Sequence, residues 1–263
     1  MEILVCARRV PDTSENEITL NSAGNDIERD DLVYSINEPD NYAVEEALQI
    51  TARVGGSVTV VTVGGEDDEE ILRREMAMGA THGVLISDDA FVGSDGRGIA
   101  TILKPFVQKG RYDLILTGVQ AEDGGAQVGG MLAAMLDYPF ASLVNSIEVL
   151  DGKKLKISRE IAGGNKEINE IDLPCVLSIQ TGINEPRYVG MRGIRQVASI
   201  PIATPGAAEL GIDPATVGAA GAKVKRVDYF VPAVGRGAEM LEGTREQNIE
   251  KVFELVTAKG GLK

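Results

Sequence analysis

Over its first 140 residues the chain alternates short β-branched runs with amphipathic stretches, which restricts the fold more than any other feature. Strands are expected at Ile3–Ala7, Ser57–Val63, Gly83–Ser87 and Tyr112–Thr117. Between them, Tyr42–Val54 puts Ala43, Val44, Ala47 and Leu48 on one helical face. Asp67–Met78 carries Ile71, Leu72 and Met76 and ends at Gly79, a C-cap residue. Ser94–Lys109 opens on a cap-like Ser94-Asp95, presents Ile99, Ile102, Leu103 and Phe106, and stops at Gly110. Gln127–Leu136 adds Val128, Met131, Leu132, Met135 and Leu136. Strands separated by helices of this length form βαβ units, which require a parallel sheet covered on both faces.

Residues 142–180 follow a different pattern. Ser142–Leu150 and Leu155–Arg159 alternate apolar and polar residues around Asp151-Gly152, a hairpin turn signal. A further extended pair, Glu167–Asp172 and Cys175–Gln180, is expected to complete an antiparallel extension of the sheet. Residues 201–222 are rich in Ala, Gly and Pro and lack periodicity, as in a crossing arm or linker. After them, Gln247–Ala258 places Ile249, Val252, Phe253 and Val256 on one face behind a Thr244-x-x-Gln247 capping box. That face needs a surface to cover it, either the chain's own sheet or a partner. The expected division is residues 1–200 as the α/β domain and 201–263 as a C-terminal arm and helix.

Composition removes several functional classes. A net charge of −14 repels phosphate backbones and argues against nucleic-acid binding. No apolar run approaches the roughly 18–20 residues that cross a bilayer. Met1-Glu2-Ile3-Leu4-Val5 has no basic leader, so a cytoplasmic protein is expected. The two cysteines, Cys6 and Cys175, lie in apolar runs and read as free thiols of a reducing compartment. Neither has a Cys or His at ligand spacing, and His82 is the one histidine, so no metal site and no acid–base centre is expected. The acidic run Glu66–Glu70 sits at a helix start, where carboxylates favour the dipole.

Two loops carry the chemistry that remains. The glycine loop from Gln120 to Gly129 joins a buried strand to a helix start, where backbone N–H groups and a helix N-terminus suit an anion such as phosphate. It is neither a P-loop nor G-x-G-x-x-G, and a tight βα turn is the plainer reading. The second loop, Ser35 to Asp40, reads as a helix cap through Asn37 or Asp40, or as a contact to an adenosine by the same residues. Both loops, and Cys6-Ala7, follow strands of one parallel sheet, whose ligands bind at the carboxyl ends near a switch point.

Asn184-Glu185-Pro186-Arg187-Tyr188, just after the Leu173-Pro174-led apolar strand, fits no common catalytic motif. It closely resembles a segment of the β subunit of electron-transfer flavoprotein. The likeness runs from Arg159-Glu160 through Gly163-Gly164, Glu167 and Leu173-Pro174 to Tyr188, with Ala162 where the family usually carries an acid. It extends to Ala7–Thr13, Asn37–Leu48, Ala77–Ala80 and Gly118–Gly129, five pieces in order that together are specific. The family fold is a Rossmann-like nucleotide-binding α/β domain with a β extension and a C-terminal arm that embraces an α subunit. The resemblance implies a heterodimeric electron carrier between flavin dehydrogenases, such as the acyl-CoA type, and an acceptor.

By the same resemblance the small subunit holds AMP, or a second FAD in electron-bifurcating relatives, whose spelling Val10–Thr13 and Asp40–Ala43 approach. NAD(H) oxidation then belongs only to a bifurcating heterodimer. Carried over by motif, the nucleotide contacts are Cys6, Asn37, Glu38, Pro39, Asp40, Val63, Asp123, Gly124, Gly125, Ala126, Gln127 and Val128. The loop is about one residue shorter than the common pattern, and Glu38 is unusual before Pro39. Met191, Arg192 and Ile194 match the family's dehydrogenase-docking segment, with Met191 as the apolar anchor. Arg195-Gln196-Val197-Ala198-Ser199 is less basic than the lysine run that often follows. The competing reading is a stand-alone ATP- or AMP-binding α/β module or a nucleotide hydrolase. It leaves Asn184–Tyr188 and the long arm unexplained.

Overall fold

The computed structural model describes residues 1–121, 124–233, 235, 237, 238 and 240–261. The chain begins with β1 (Glu2–Cys6), the short β2 (Arg9–Pro11) and β3 (Tyr34–Ile36), and α1 (Glu38–Val54). It continues through β4 (Ser57–Val63), α2 (Glu69–Met78), β5 (His82–Ile86), α3 (Gly96–Gly110), β6 (Leu114–Gly118) and α4 (Val128–Leu136). Then come β7 (Phe140–Val149), β8 (Lys154–Ile161), β9 (Asn165–Asp172), β10 (Cys175–Ile179) and α5 (Met191–Val197). The eight-stranded sheet has the order β5-β4-β1-β6-β10-β7-β8-β9. It is parallel from β5 to β7 and antiparallel at β8 and β9.

The βαβ alternation read from the sequence produces this parallel core. Residues of odd and even position on each strand feed opposite faces. Ile3 and Val5 of β1 pack with Ala43, Val44, Ala47 and Ile50 of α1 and with Leu72 of α2. Leu4, Ile115 and Val176 pack with Ile102, Leu103 and Val107 of α3 and Leu132 of α4. The chain works outward from β1 to β4 and β5, then crosses back to place β6 on the other side of β1. That reversal is the topological switch point of the sheet, where ligands of open α/β sheets bind.

One expectation fails. Cys175–Ile179 does not extend the antiparallel hairpin but lies between β6 and β7, parallel to both. All five of its residues are buried, so it needs cover on both faces. The hairpin β8–β9 alone forms the antiparallel extension.

Two compact units divide the chain: Met1–Ile18 with Arg29–Val227, and Thr19–Glu28 with Asp228–Lys263. In the first unit, residues 201–227 are more than a linker. The Leu85 N–H donates to the Ala203 carbonyl (2.9 Å) and the Ser87 N–H to that of Pro205 (3.2 Å), which covers the open edge of β5. Ala207 and Leu210 of α6 (Ala207–Leu210), with Ile212 and Val217 ahead of α7 (Gly218–Gly221), join the core on the α3 side. Helices of four residues are too short for a periodicity to show in sequence.

This segment is fastened by acceptors at the start of α3 and the turn before it. Asp88 accepts from the Ala207 N–H (2.9 Å) and Ser94 Oγ from the Gly218 N–H (2.8 Å). Asp95 caps α3 through the Gly98 N–H (2.8 Å) and accepts from Lys223 and Val224 (2.6 and 3.0 Å). Backbone donors hold both carboxyls below the usual range, Ala90 then Ala207 for Asp88, and chiefly Gly98 for Asp95. A depressed carboxyl contributes stability above its unfolded pKa of about 3.9 and loses it as pH falls through the folded value. Hydrogen exchange should therefore show residues 205–224 losing protection first between about pH 5 and pH 3. Asp95→Asn should remove part of that dependence, and protection unchanged in wild type at acid pH would contradict it.

In the second unit Leu20 and Ile27 pair as an antiparallel bridge, and α8 (Arg245–Ala258) forms the last helix. Thr244 and Gln247 cap it reciprocally, as the sequence predicts. Its Ile249, Val252 and Phe253 are exposed. No described helix is long and apolar enough to cross a membrane.

Candidate functional site

A cavity of about 660 Å³ opens at the switch point, above the carboxyl ends of β1, β4 and β6. Its floor is Cys6, Val61, Val63 and Thr117, and its walls come from the N-terminal ends of α1, α3 and α4. Of the sequence-predicted residues, Cys6, Asn37, Asp40, Val63, Gly124, Gly125, Ala126, Gln127 and Val128 line it together. Glu38 and Pro39, in the first turn of α1, are not among the residues that line it. Asp123 lies outside the described residues.

Asn37 occupies the N-cap position of α1, but its side chain does not cap the helix. It donates to the Gln120 carbonyl (3.0 Å) and so ties the first loop to the glycine loop. Its Oδ1 is buried with no partner among the described residues. Asp40 also turns away from its own helix. Its two carboxylate oxygens accept from the Arg8 N–H (2.9 Å) after β1 and the Gly118 N–H (2.8 Å) after β6. Asp40 thus holds the helix start to the two strands that flank the switch point. Burial pushes its carboxyl up to about 7, against the hydrogen bonds from Gly118, Asn37 and Arg8.

The helix starts differ in what they offer. Asp95 fills the N-terminus of α3, whereas the Gln127 side chain makes no capping bond at the start of α4. Val128 and Gly129 of that helix line the cavity beside Gly124–Gln127, and the N-terminus of a helix suits an anion. That helix comes close because residue 129 is glycine. A Cβ there would sit 2.6 Å from Ser178 Oγ and 2.8 Å from Thr117 Oγ1, hydroxyls that hydrogen-bond each other at 2.9 Å. Three arginines, Arg8, Arg29 and Arg226, also line the cavity. Arg29 and Arg226 arrive from distant parts of the chain, as do Ser94 and Gly96, and no local motif marks them. Burial keeps the Cys6 thiol protonated, so it acts as wall and not as nucleophile.

Among the described residues no group of three or more His, Cys, Asp or Glu could hold a metal. His82 is exposed at the start of β5. The lining combines arginines and the start of α4 with the apolar Val61, Val63, Ile99 and Leu103, a mix that suits phosphates and an adenine.

Asn184–Tyr188 lies apart from the cavity and acts as a clamp. Asn184 Nδ2 donates to the Tyr42 carbonyl and to Glu46 Oε2, both at 3.1 Å. Arg187 grips Glu45 through Nε (2.7 Å) and Nη2 (2.9 Å), adds its backbone N–H (3.2 Å), and reaches the Met78 carbonyl (3.3 Å). Burial raises the Glu45 carboxyl, but the hydrogen bonds from Arg187 and Gln49 outweigh it and hold the group below its ordinary value. The clamp delivers the chain to α5, which packs on α2. Gly193 lies against Ala77, and Arg73 of α2 donates to the Val197 (2.8 Å) and Ile200 carbonyls. Met191 and Arg192 are exposed at the start of α5 and Ile194 is half-buried. Tyr188, 92% exposed, stands beside them.

Residues 24–210 match the model of the electron transfer flavoprotein domain. The chain is 35% identical to the electron transfer flavoprotein subunit beta of Methylophilus methylotrophus, over 97% of this chain and 98% of that one. It is 35% identical to the caffeyl-CoA reductase-Etf complex subunit CarD of Acetobacterium woodii, over 93% of each. The acryloyl-CoA reductase electron transfer subunit gamma of Anaerotignum propionicum is 32% identical over 98% of this chain and 99% of its own. With a switch-point cavity, an Asn184–Tyr188 clamp and full-length likeness to these small subunits, the chain belongs to the electron transfer flavoprotein family, as a β-type subunit.

Proposed function

We propose that this chain binds an adenine nucleotide in the switch-point cavity and pairs with a flavin-binding α subunit to carry electrons from a dehydrogenase to an acceptor. The observation that carries the nucleotide reading is the start of α4, brought against Thr117 and Ser178 by Gly129 and lining a cavity with three arginines. FAD is favoured over AMP. The volume, and cationic groups on three separate segments, suit a diphosphate-bridged dinucleotide better than a monophosphate. A flavin so held supplies the electron chemistry itself. The chain's own groups bind and orient it: Asn37 and Gln120 at one loop, the α4 N–H groups and arginines at the other. With FAD here and another in the partner, electron bifurcation, with NAD(H) as donor, is the activity this reading supports. AMP in the same place would make the chain a simple electron shuttle.

The exposed face of α8 and the chain around it form the arm toward the α subunit. Met191, Arg192 and Ile194, presented by the clamp, dock the redox partner, an acyl-CoA-type dehydrogenase or another redox protein; two relatives are named for caffeyl-CoA and acryloyl-CoA reductases. The free thiols Cys6 and Cys175 suit the cytoplasm.

Gly129→Ala tests the site. The added methyl must push the start of α4 away from the two hydroxyls, so nucleotide retained by the heterodimer should fall at least about tenfold, a change of about 1.4 kcal/mol. Full retention by a folded Gly129→Ala heterodimer would remove the α4 anion site from the account.

A further inference from the structure

Two buried carboxyls lie within electrostatic reach of each other below the cavity, and they differ in one respect. Glu75 of α2 is fully buried, and neither of its carboxyl oxygens has a hydrogen-bond partner among the described residues. Asp40 is 5% exposed, lines the cavity, and receives two backbone N–H bonds. Burial disfavours the charged form of both groups, while donated hydrogen bonds favour it. Glu75, with none, is held neutral well above the ordinary range. Asp40, with those two and one from the Asn37 side chain, is pushed up less far, to about 7.

The charged or titratable groups facing Asp40 are Arg8 and Cys6 at the end of β1 and Glu75 on α2, while β6 contributes the Gly118 N–H. Cys6 and Glu75 are held in their neutral forms by burial, so of these three neighbours Arg8 carries the charge, and it favours the Asp40 carboxylate while the cavity has no anionic guest. A phosphate-bearing guest adds negative charge to the same low-dielectric space. Two anions there repel, and the one that can bind a proton does so.

Resting on the nucleotide reading above, we propose that Asp40 takes up a proton when an anionic guest enters the cavity, so that guest binding and proton uptake are linked. The balance is one proton from solvent onto an Asp40 carboxylate oxygen, with no bond of the guest made or broken. Glu75 remains neutral in both states, an uncharged neighbour that keeps α2 from offering a second anion.

The test is calorimetry of FAD binding to the nucleotide-stripped heterodimer in buffers of different ionisation enthalpy. FAD suits the purpose because its diphosphate does not titrate near neutrality. The wild type should take up a fraction of a proton per FAD at pH 7, because burial pushes the Asp40 carboxyl up to about 7. Its affinity should fall about tenfold between pH 6 and pH 8. Asp40→Asn should show neither, and Glu75→Gln should show both; uptake lost only in Glu75→Gln would assign the proton elsewhere and overturn the proposal. Should Asp40→Asn fail to fold, the infrared carbonyl band of a protonated carboxylic acid must grow when FAD is added to wild type at pH 7. Equal affinity at pH 6 and pH 8 without uptake overturns the linkage alone. Absence of FAD and AMP binding at every pH overturns the nucleotide reading, and the linkage with it.

Discussion

Gly118→Ala should be strongly damaging to both the start of α1 and the cavity. A Cβ at this position would lie 2.3 Å from Asp40 Oδ1, 2.9 Å from the Asp40 backbone nitrogen and 2.8 Å from Pro39 Cβ. Two of those atoms belong to the first turn of α1 and cannot rotate aside, so the helix start must move as a body. The movement breaks the Gly118 N–H bond to Asp40 and strains the Arg8 bond, which together join α1 to both strands at the switch point. Overpacking of this kind costs about 3 kcal/mol. For a chain of this size that lowers the melting temperature by roughly 6–12 °C. Bound nucleotide should be lost with it, because Asn37 and the glycine loop are positioned by the same turn.

Gly125→Ala provides the contrast. Its Cβ would meet only the Gln127 side chain, at 3.4 Å or more. It should leave the melting temperature within about 2 °C of wild type. Thermal melts of both variants, run beside an assay of retained nucleotide, separate a packing role from a general intolerance of substitution in glycine loops. Equal stability of the two variants would show that the α1 start is not held as described.

Arg187→Ala should produce the second large effect, on docking more than on folding. The Glu45 side chain is 5% exposed and the Arg187 guanidinium makes two of its hydrogen bonds, so truncation leaves a buried carboxylate with Gln49 and the backbone N–H of residue 187 as donors. Breaking a buried pair outright costs about 3–5 kcal/mol, but here the Arg187 side chain is half-exposed and water screens the loss, so about 2 kcal/mol is expected. The Asn184 bonds to Tyr42 and Glu46 remain, but the chain after them loses the guanidinium grip on Glu45 and Met78, and the segment carrying Tyr188 and Met191 loosens. Affinity for the redox partner should drop about tenfold or more while nucleotide content stays unchanged. Arg187→Lys should recover little, because an ammonium cannot reproduce the two-pronged grip on Glu45. Surface-plasmon measurement of partner binding, paired with a nucleotide count, would detect the split; a parallel loss of both would mean that the clamp and the cavity are one unit.

These two residues mark how far the sequence could be read. The parallel core was legible because α1 to α4 each repeat an apolar face and β1, β4, β5 and β6 are continuous β-branched runs. The place of β10 was not. A short apolar strand reads the same at a sheet edge or centre, and only pairing with β6 and β7 decides it. The short helices α6 and α7 were invisible because four residues carry no period. At the cavity, the glycine loop and Asn37-Asp40 were legible as loops that follow strands. Capping was the obvious role for Asn37 and Asp40, yet both side chains bond across to other strands and loops, a long-range choice no local pattern encodes. Arg29 and Arg226 were missed for the same reason, since they meet the cavity from positions nearly 200 residues apart in the chain. Arg187 stood out as part of a distinctive string, but its role as a clamp on Glu45 needed the fold.

The central claim is that the switch-point cavity of this β-type subunit holds an adenine nucleotide. The most direct measurement is a count of FAD and AMP released by denaturing the heterodimer formed with its α subunit. Two FAD per heterodimer, with one lost in Gly118→Ala, is the predicted result and supports bifurcation. One FAD and one AMP, with the AMP lost in the variant, would keep the cavity and replace bifurcation by simple electron transfer. One FAD with no second adenine nucleotide, in a folded and partner-competent heterodimer, would contradict the account.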